Sequence, residues 1–141
     1  MAEPTALAGA LARVGERWTL LIVDALLGGP ARFGDLATAV AGIAPNILAG
    51  RLRRLEADGL LVSLPYSERP PRREYRLTGP GAELAGALRL LTAWGARRAG
   101  GGGGTGALEH RTCGTPMEAR WFCPTCDRPV ADDEGPELAF A

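Results

Sequence analysis

Apolar residues recur at helical spacing through most of the first hundred positions. Thr5 to Arg13 repeats Ala and Leu in this way, with Thr5 placed to cap the first turn. Trp18, Leu21, Ile22, Ala25 and Leu26 share one face of a helix over Trp18–Leu27, which stops at Gly28-Gly29-Pro30. Phe33, Leu36, Ala37 and Val40 predict a short helix over about 34–40. After the turn Ala41-Gly42-Ile43, Pro45 suits a first helical position, and the next helix runs to Asp58-Gly59. The pattern then changes. Leu60 to Tyr66 reads as a strand, Glu68-Arg69-Pro70-Pro71-Arg72 as a turn, and Glu74-Tyr75-Arg76-Leu77 as the returning strand. Thr78 caps a last helix from near Pro80 to Arg98, with Leu84, Leu88, Leu91 and Trp94 as its apolar stripe and Ala87 alongside.

Two short helices joined by a tight turn and followed by a hairpin predict a winged helix-turn-helix. The fold class expected is therefore mainly α with a small β-hairpin wing. In the second helix, Leu48, Leu52 and Leu55 advance by four and three residues and form one buried stripe. At about 100° per residue, Asn46, Gly50 and Arg53 point the opposite way, flanked by Pro45, Ala49 and Arg54. A small amide, a glycine and arginines suit a surface that enters a major groove, where Asn pairs with adenine and Arg with guanine. A merely solvated helix face also carries arginine, and the flanking architecture favours the first reading. The hairpin tip adds Arg69, Arg72 and Arg73, which suit a wing lying along the adjacent minor groove; a solubilising turn is the plainer alternative.

Composition narrows the chemistry. The 141 residues carry zero formal net charge, and all 16 basic residues are arginine. Residues 1–100 hold 13 Arg against 9 acids, and residues 101–141 hold 3 Arg against 7 acids, so the front part is mildly basic. The absence of Lys excludes a P-loop lysine and a Schiff base, and His110 with two serines leaves few catalytic groups, so no enzyme is expected. No apolar run approaches a membrane span, and the segment after Glu3 lacks the basic start of a signal peptide, so a cytoplasmic location is expected.

Several ordered segments resemble the HxlR-type, MarR-like winged-helix regulators of bacteria. They are Gly15-Glu16-Arg17-Trp18 with Leu21-Ile22, Gly29 through Leu36, Leu48 through Gly59, Pro70 through Thr78, and Trp94-Gly95. The resemblance covers roughly Val14 to Gly95. It implies a homodimer bound to double-stranded DNA, acting as repressor or activator, with the first and last helices at the dimer interface and Arg32 among the DNA contacts. The inducer is not implied. The chain departs from the family pattern at Ala44, where a polar residue is usual, and at Arg73, where an aliphatic one is. It also has no cysteine before the Gly-x-x-Trp motif, so thiol sensing inside the DNA-binding part is excluded.

Five glycines, Gly100–Gly104, begin a linker over 100–106 that separates residues 1–99 from a tail over 107–141. The tail gathers His110-x-x-Cys113 and Cys123-x-x-Cys126. Thr112 to Met117 aligns with Thr125 to Val130 at an offset of thirteen, which also places His110 on Cys123. Two ligand-x-x-ligand turns predict a small zinc ribbon, with structural Zn²⁺ held by His110, Cys113, Cys123 and Cys126. So short a segment cannot build a sufficient apolar core; a metal replaces it, with Trp121 and Phe122 supplying the rest. Two alternatives stay open: a redox pair at Cys123 and Cys126, and a disordered tail with free thiols. For the whole chain, a protein-binding adaptor is the alternative to a DNA-binding regulator.

Overall fold

The computed structural model describes residues 5–99 and 108–131. The chain divides into two compact units, one up to Leu88 and one from Arg89. This division falls inside a helix; the expected glycine linker over 100–106 lies outside the described residues.

The first unit opens with α1 (Ala6–Val14) and α2 (Arg17–Leu27), then a two-residue strand β1 (Ala31–Arg32). Next come α3 (Phe33–Ala39), α4 (Pro45–Ala57), and the hairpin β2 (Leu61–Glu68) and β3 (Pro71–Leu77). Thr5 caps α1 as its position predicts, its hydroxyl accepting from the Ala8 N–H at 3.2 Å. The core is one layer of aliphatic side chains. Ile22, Val23 and Leu26 of α2 meet Leu36 of α3, Leu48, Leu52 and Leu55 of α4, and Leu61 of β2. Each such side chain contributes about 1.5–3 kcal/mol by leaving water. The leucine stripe of α4 is thus what seats that helix and decides which face it shows.

Three features of this unit differ from the pattern-based expectation. First, β1 pairs with β3, Ala31 opposite Tyr75 and Arg32 opposite Glu74, making a three-stranded sheet in the order β1-β3-β2. Two residues carry no periodicity of their own; only a partner far along the chain makes them a strand. Second, the hairpin is longer than expected, and its tip shrinks to Arg69-Pro70. Pro71 opens β3 and Pro65 lies within β2. β2 is an edge strand, which tolerates a missing N–H, and the register shifts between Pro65 and Ser67 in a bulge. Third, the helix expected from Pro80 to Arg98 is two helices, α5 (Gly79–Ala82) and α6 (Ala85–Arg98). Gly-Pro-Gly is a poor helix start, and Gly81 presses against the Leu60 carbonyl where any Cβ would clash, so α5 is fixed to the strand entry.

Among its described residues the second unit holds the rest of α6 and four short strands: β4 (Glu109–His110), β5 (Thr115–Pro116), β6 (Trp121–Cys123) and β7 (Arg128–Val130). They form two separate antiparallel hairpins, β4-β5 and β6-β7. Trp121 and Phe122, expected to supply a small core, are exposed, and among the described residues their hairpin pairs with no third strand. No helix among the described residues is long and apolar enough to cross a membrane.

Candidate nucleic-acid interface

Pro45 stands in the first turn of α4, and Ala44, at the cap, gives no side-chain bond to that turn. With Leu48, Leu52 and Leu55 buried, the helix turns Asn46, Arg53 and Arg54 to the outside. Ala49 and Gly50 are half-buried on the same side. The side chains of Asn46 and Arg53 make no hydrogen bond or ion pair with other described residues. Arg54 is different: its Nε donates to Asp58 Oδ2 at 3.0 Å, an i, i+4 pair. Arg51 lies away from this face and forms an ion pair with Glu16. Gly50 has open space where a Cβ would stand, so nothing among the described residues requires glycine there.

The wing arginines are not equivalent. Arg69 and Arg72 are exposed and unengaged among the described residues. Arg73, expected beside them as a DNA contact, turns back along the sheet. Its Nε donates to Ser63 Oγ at 3.0 Å and its Nη2 to the Ser63 carbonyl at 2.9 Å. Ser63 in turn donates its hydroxyl to Glu56 Oε1 at 2.7 Å. These bonds from Ser63, with a smaller contribution from the Arg73 charge, hold the Glu56 carboxyl below the usual glutamate range.

Arg32 reaches across to the wing, its guanidinium 4.4 Å from the centre of the Tyr66 ring. Its backbone N–H is held by Asp35 Oδ2 at 2.9 Å, which starts α3 and fixes where Arg32 stands. Arg32, Phe33, Tyr66, Arg72, Arg73 and Tyr75 line an open groove of about 510 Å³ between α3 and the wing. Tyr66, Glu56 and Ser63 are the participants that sequence reasoning missed. Tyr66 stands at the bulge, which no periodicity marks, and Glu56 and Ser63 meet only because a helix end packs against a strand.

In the tail the thirteen-residue repeat is visible in the backbone. His110 pairs with Thr115 and Cys123 with Arg128; Glu109 pairs with Pro116 and Phe122 with Pro129. The two hairpins therefore share one register at the repeat's offset. The residues after Cys113 and Cys126 are left-handed: Gly114 at φ 68° and Asp127 at φ 52°. In the first turn His110 Nδ1 lies 3.3 Å from Cys113 Sγ. The Cys113 thiol is held below its ordinary value mainly by the Thr115 hydroxyl. Cys123 is lowered mainly by the Cys126 backbone N–H, with help from the Cys126 side chain and the Thr125 N–H. Donors aimed at sulfur favour thiolate, the form that binds a metal. Among the described residues no three His, Cys, Asp or Glu groups gather into one cluster, so the structure does not bring His110, Cys113, Cys123 and Cys126 together.

The description of HxlR-like helix-turn-helix proteins matches residues 13–100. An HTH-type transcriptional regulator of Mycobacterium tuberculosis is 41% identical over 133 residues, spanning 90% of this chain and 84% of its own length. YtcD, an HTH-type transcriptional regulator of Bacillus subtilis, is 37% identical over 83 residues, spanning 59% of this chain and 66% of its own. Among solved structures, PA1607, a candidate transcription factor, is similar with a TM-score of 0.76 at 31% identity, over 92% of this chain and 90% of its own. The reduced form of the redox regulator HypR gives 0.63 at 28% identity, over 68% and 94%. Matches spanning nine-tenths of the chain have to extend past residue 99, so the mycobacterial protein and PA1607 share part of the tail as well as the front.

Proposed function

This chain belongs to the HxlR-like helix-turn-helix family and is a DNA-binding transcriptional regulator rather than an enzyme, and from that premise we propose how it holds its operator. The reading helix is α4, laid in the major groove. Asn46 and Arg53 read base edges, and Pro45, Ala49 and Gly50 let the helix come close. Arg54, shared with Asp58, and Arg32, steadied on Tyr66, meet phosphates on either side. Arg69 and Arg72 at the wing tip follow the flanking backbone or minor groove. The observation that carries this reading is the exposed face of α4, where Asn46 and Arg53 have no partner within the described residues.

The regulator acts as a homodimer. α1 buries none of its residues, leaving Leu7 68% and Leu11 54% exposed. α6 leaves Leu91 52% and Trp94 53% exposed. Apolar stripes on the first and last long helices suit burial against a second copy, which would also set two reading helices on a two-fold site.

Zinc is the metal that the tail residues suit. One imidazole and three thiols, two of them biased toward thiolate, are the donor set of a closed structural site. His110, Cys113, Cys123 and Cys126 would hold the ion. It would supply a fixed cross-link between two hairpins that bury little on their own.

Selecting random duplexes on the purified full chain and sequencing those retained tests the function. A recurrent motif, bound less tightly as salt rises, is expected. Enrichment of no motif, with salt-independent retention, would replace the operator-binding reading with that of a protein-binding adaptor.

A further inference from the structure

The wing is tied to the reading helix through one serine. β2 is an edge strand, so backbone groups on its outer side have no ladder partner. At Ser63 both are taken up by side chains. Glu56, in the last turn of α4, accepts the Ser63 N–H at 3.1 Å and the Ser63 hydroxyl at 2.7 Å. Arg73, on β3, donates to the Ser63 oxygen atoms, to Oγ at 3.0 Å and to the carbonyl at 2.9 Å. A carboxylate from the helix and a guanidinium from the neighbouring strand thus clamp one residue of β2 between them. Both outer groups are charged, which makes their hydrogen bonds stronger than neutral ones.

We propose that Glu56 and Arg73 are positioning residues that, through Ser63, fix the base of the wing against the C-terminal turn of α4, so that helix and wing meet DNA at a preset angle. The inference rests on the DNA-binding reading above. It gives Arg73 a different task from Arg69 and Arg72, which have no partner among the described residues. It also predicts an effect with the opposite sign to simple electrostatics. Glu56 is an anion on a DNA-binding domain, so on charge alone its removal strengthens binding to a polyanion. As part of a clamp, its removal weakens binding.

The test uses the full chain and a duplex carrying the selected motif, with Glu56→Gln, Ser63→Ala, Arg73→Lys, Arg73→Ala and Arg72→Ala. Affinity is measured across a salt series, and amide exchange at Ser63 is followed without DNA. Glu56→Gln, Ser63→Ala and Arg73→Lys should each weaken binding about two- to tenfold, the span of one net hydrogen bond. Their slopes of log affinity against log salt should match the parent, whereas Arg72→Ala should flatten its slope. Combining Glu56→Gln with Arg73→Lys should weaken binding no further than the worse single change, since both act through Ser63. Ser63 exchange should quicken in Glu56→Gln. Parental affinity in Arg73→Lys, with a flattened slope in Arg73→Ala, would make Arg73 a phosphate contact and overturn the clamp. Tighter binding in Glu56→Gln would do the same, as would faster exchange with unchanged affinity. If the unaltered protein binds no duplex while Ser63 exchange still quickens in Glu56→Gln, the DNA-binding reading fails and the tie itself stands.

Discussion

At the scale of single residues, the reading face of α4 holds the clearest tests. Gly50 costs helix stability, and nothing among the described residues needs it. Gly50→Ala should therefore stabilise the fold by roughly 0.5–1 kcal/mol, read as a higher thermal midpoint. It should also weaken duplex binding if α4 lies close in the groove. A variant that is more stable and binds as tightly would show that DNA does not approach Gly50. For Asn46 and Arg53, replacement by Ala should cost about 1–3 kcal/mol on the specific site and relax its sequence preference. An equal loss on random duplexes would move them from base edges to phosphates. Glu56 adds a pH dependence. Its carboxyl is lowered in the folded chain, so its stabilisation is fully present above the ordinary glutamate value of about 4.3 and is lost as pH falls through the lower, folded value. The stability difference between parent and Glu56→Gln should thus vanish on acidification, as equilibrium unfolding across pH would record.

At the scale of elements, the wing and the tail hairpins make separable claims. Arg69 and Arg72 should act chiefly through charge. Replacing either with Ala should weaken specific and non-specific binding alike. The salt slope should flatten by about one for each phosphate that a subunit no longer neutralises. Unchanged slopes in both variants would mean that the wing tip does not touch DNA. The tail should carry one zinc per chain. Its thiols should then resist alkylation until a chelator removes the metal. Protein grown in zinc-replete medium, purified under reducing conditions and found free of metal would rule out the ribbon. A reversible Cys123–Cys126 disulfide that changes DNA affinity would then be the better account. The shared register of the two hairpins was legible from the repeat, because a thirteen-residue offset fixes the same pairing twice. The exposure of Trp121 and Phe122 was not, because burial depends on what faces a hairpin and not on the hairpin itself.

At the scale of the molecule, the tests concern assembly. Leu91→Glu or Trp94→Glu in α6, or Leu7→Glu in α1, should convert a dimer to monomer in analytical ultracentrifugation, since a carboxylate cannot be buried unpaired in an apolar contact. Duplex affinity should fall with it, because one reading helix replaces two. A parent protein that sediments as a monomer at every concentration would remove the dimer from the mechanism. The core makes a contrasting case. Leu52→Ala, in a buried position shared by α2 and α4, should cost about 2–5 kcal/mol of unfolding free energy without any change in sedimentation of the folded fraction.

The sequence by itself determined helices α1 to α4, the buried stripe of α4, the face opposite it, and the repeated turns of the tail. These follow from local periodicity and from spacing along the chain, which a single strand of residues carries in full. Only the tertiary structure decided that Ala31 and Arg32 form a strand, that Tyr66 sits under Arg32, and that the last helix breaks after Ala82. Only it separated Arg73 from its neighbours at the wing and placed it, with Glu56, on Ser63. Each of these rests on residues of different elements meeting across a sheet edge or a helix end, and no pattern within one element encodes which partner from another will be there.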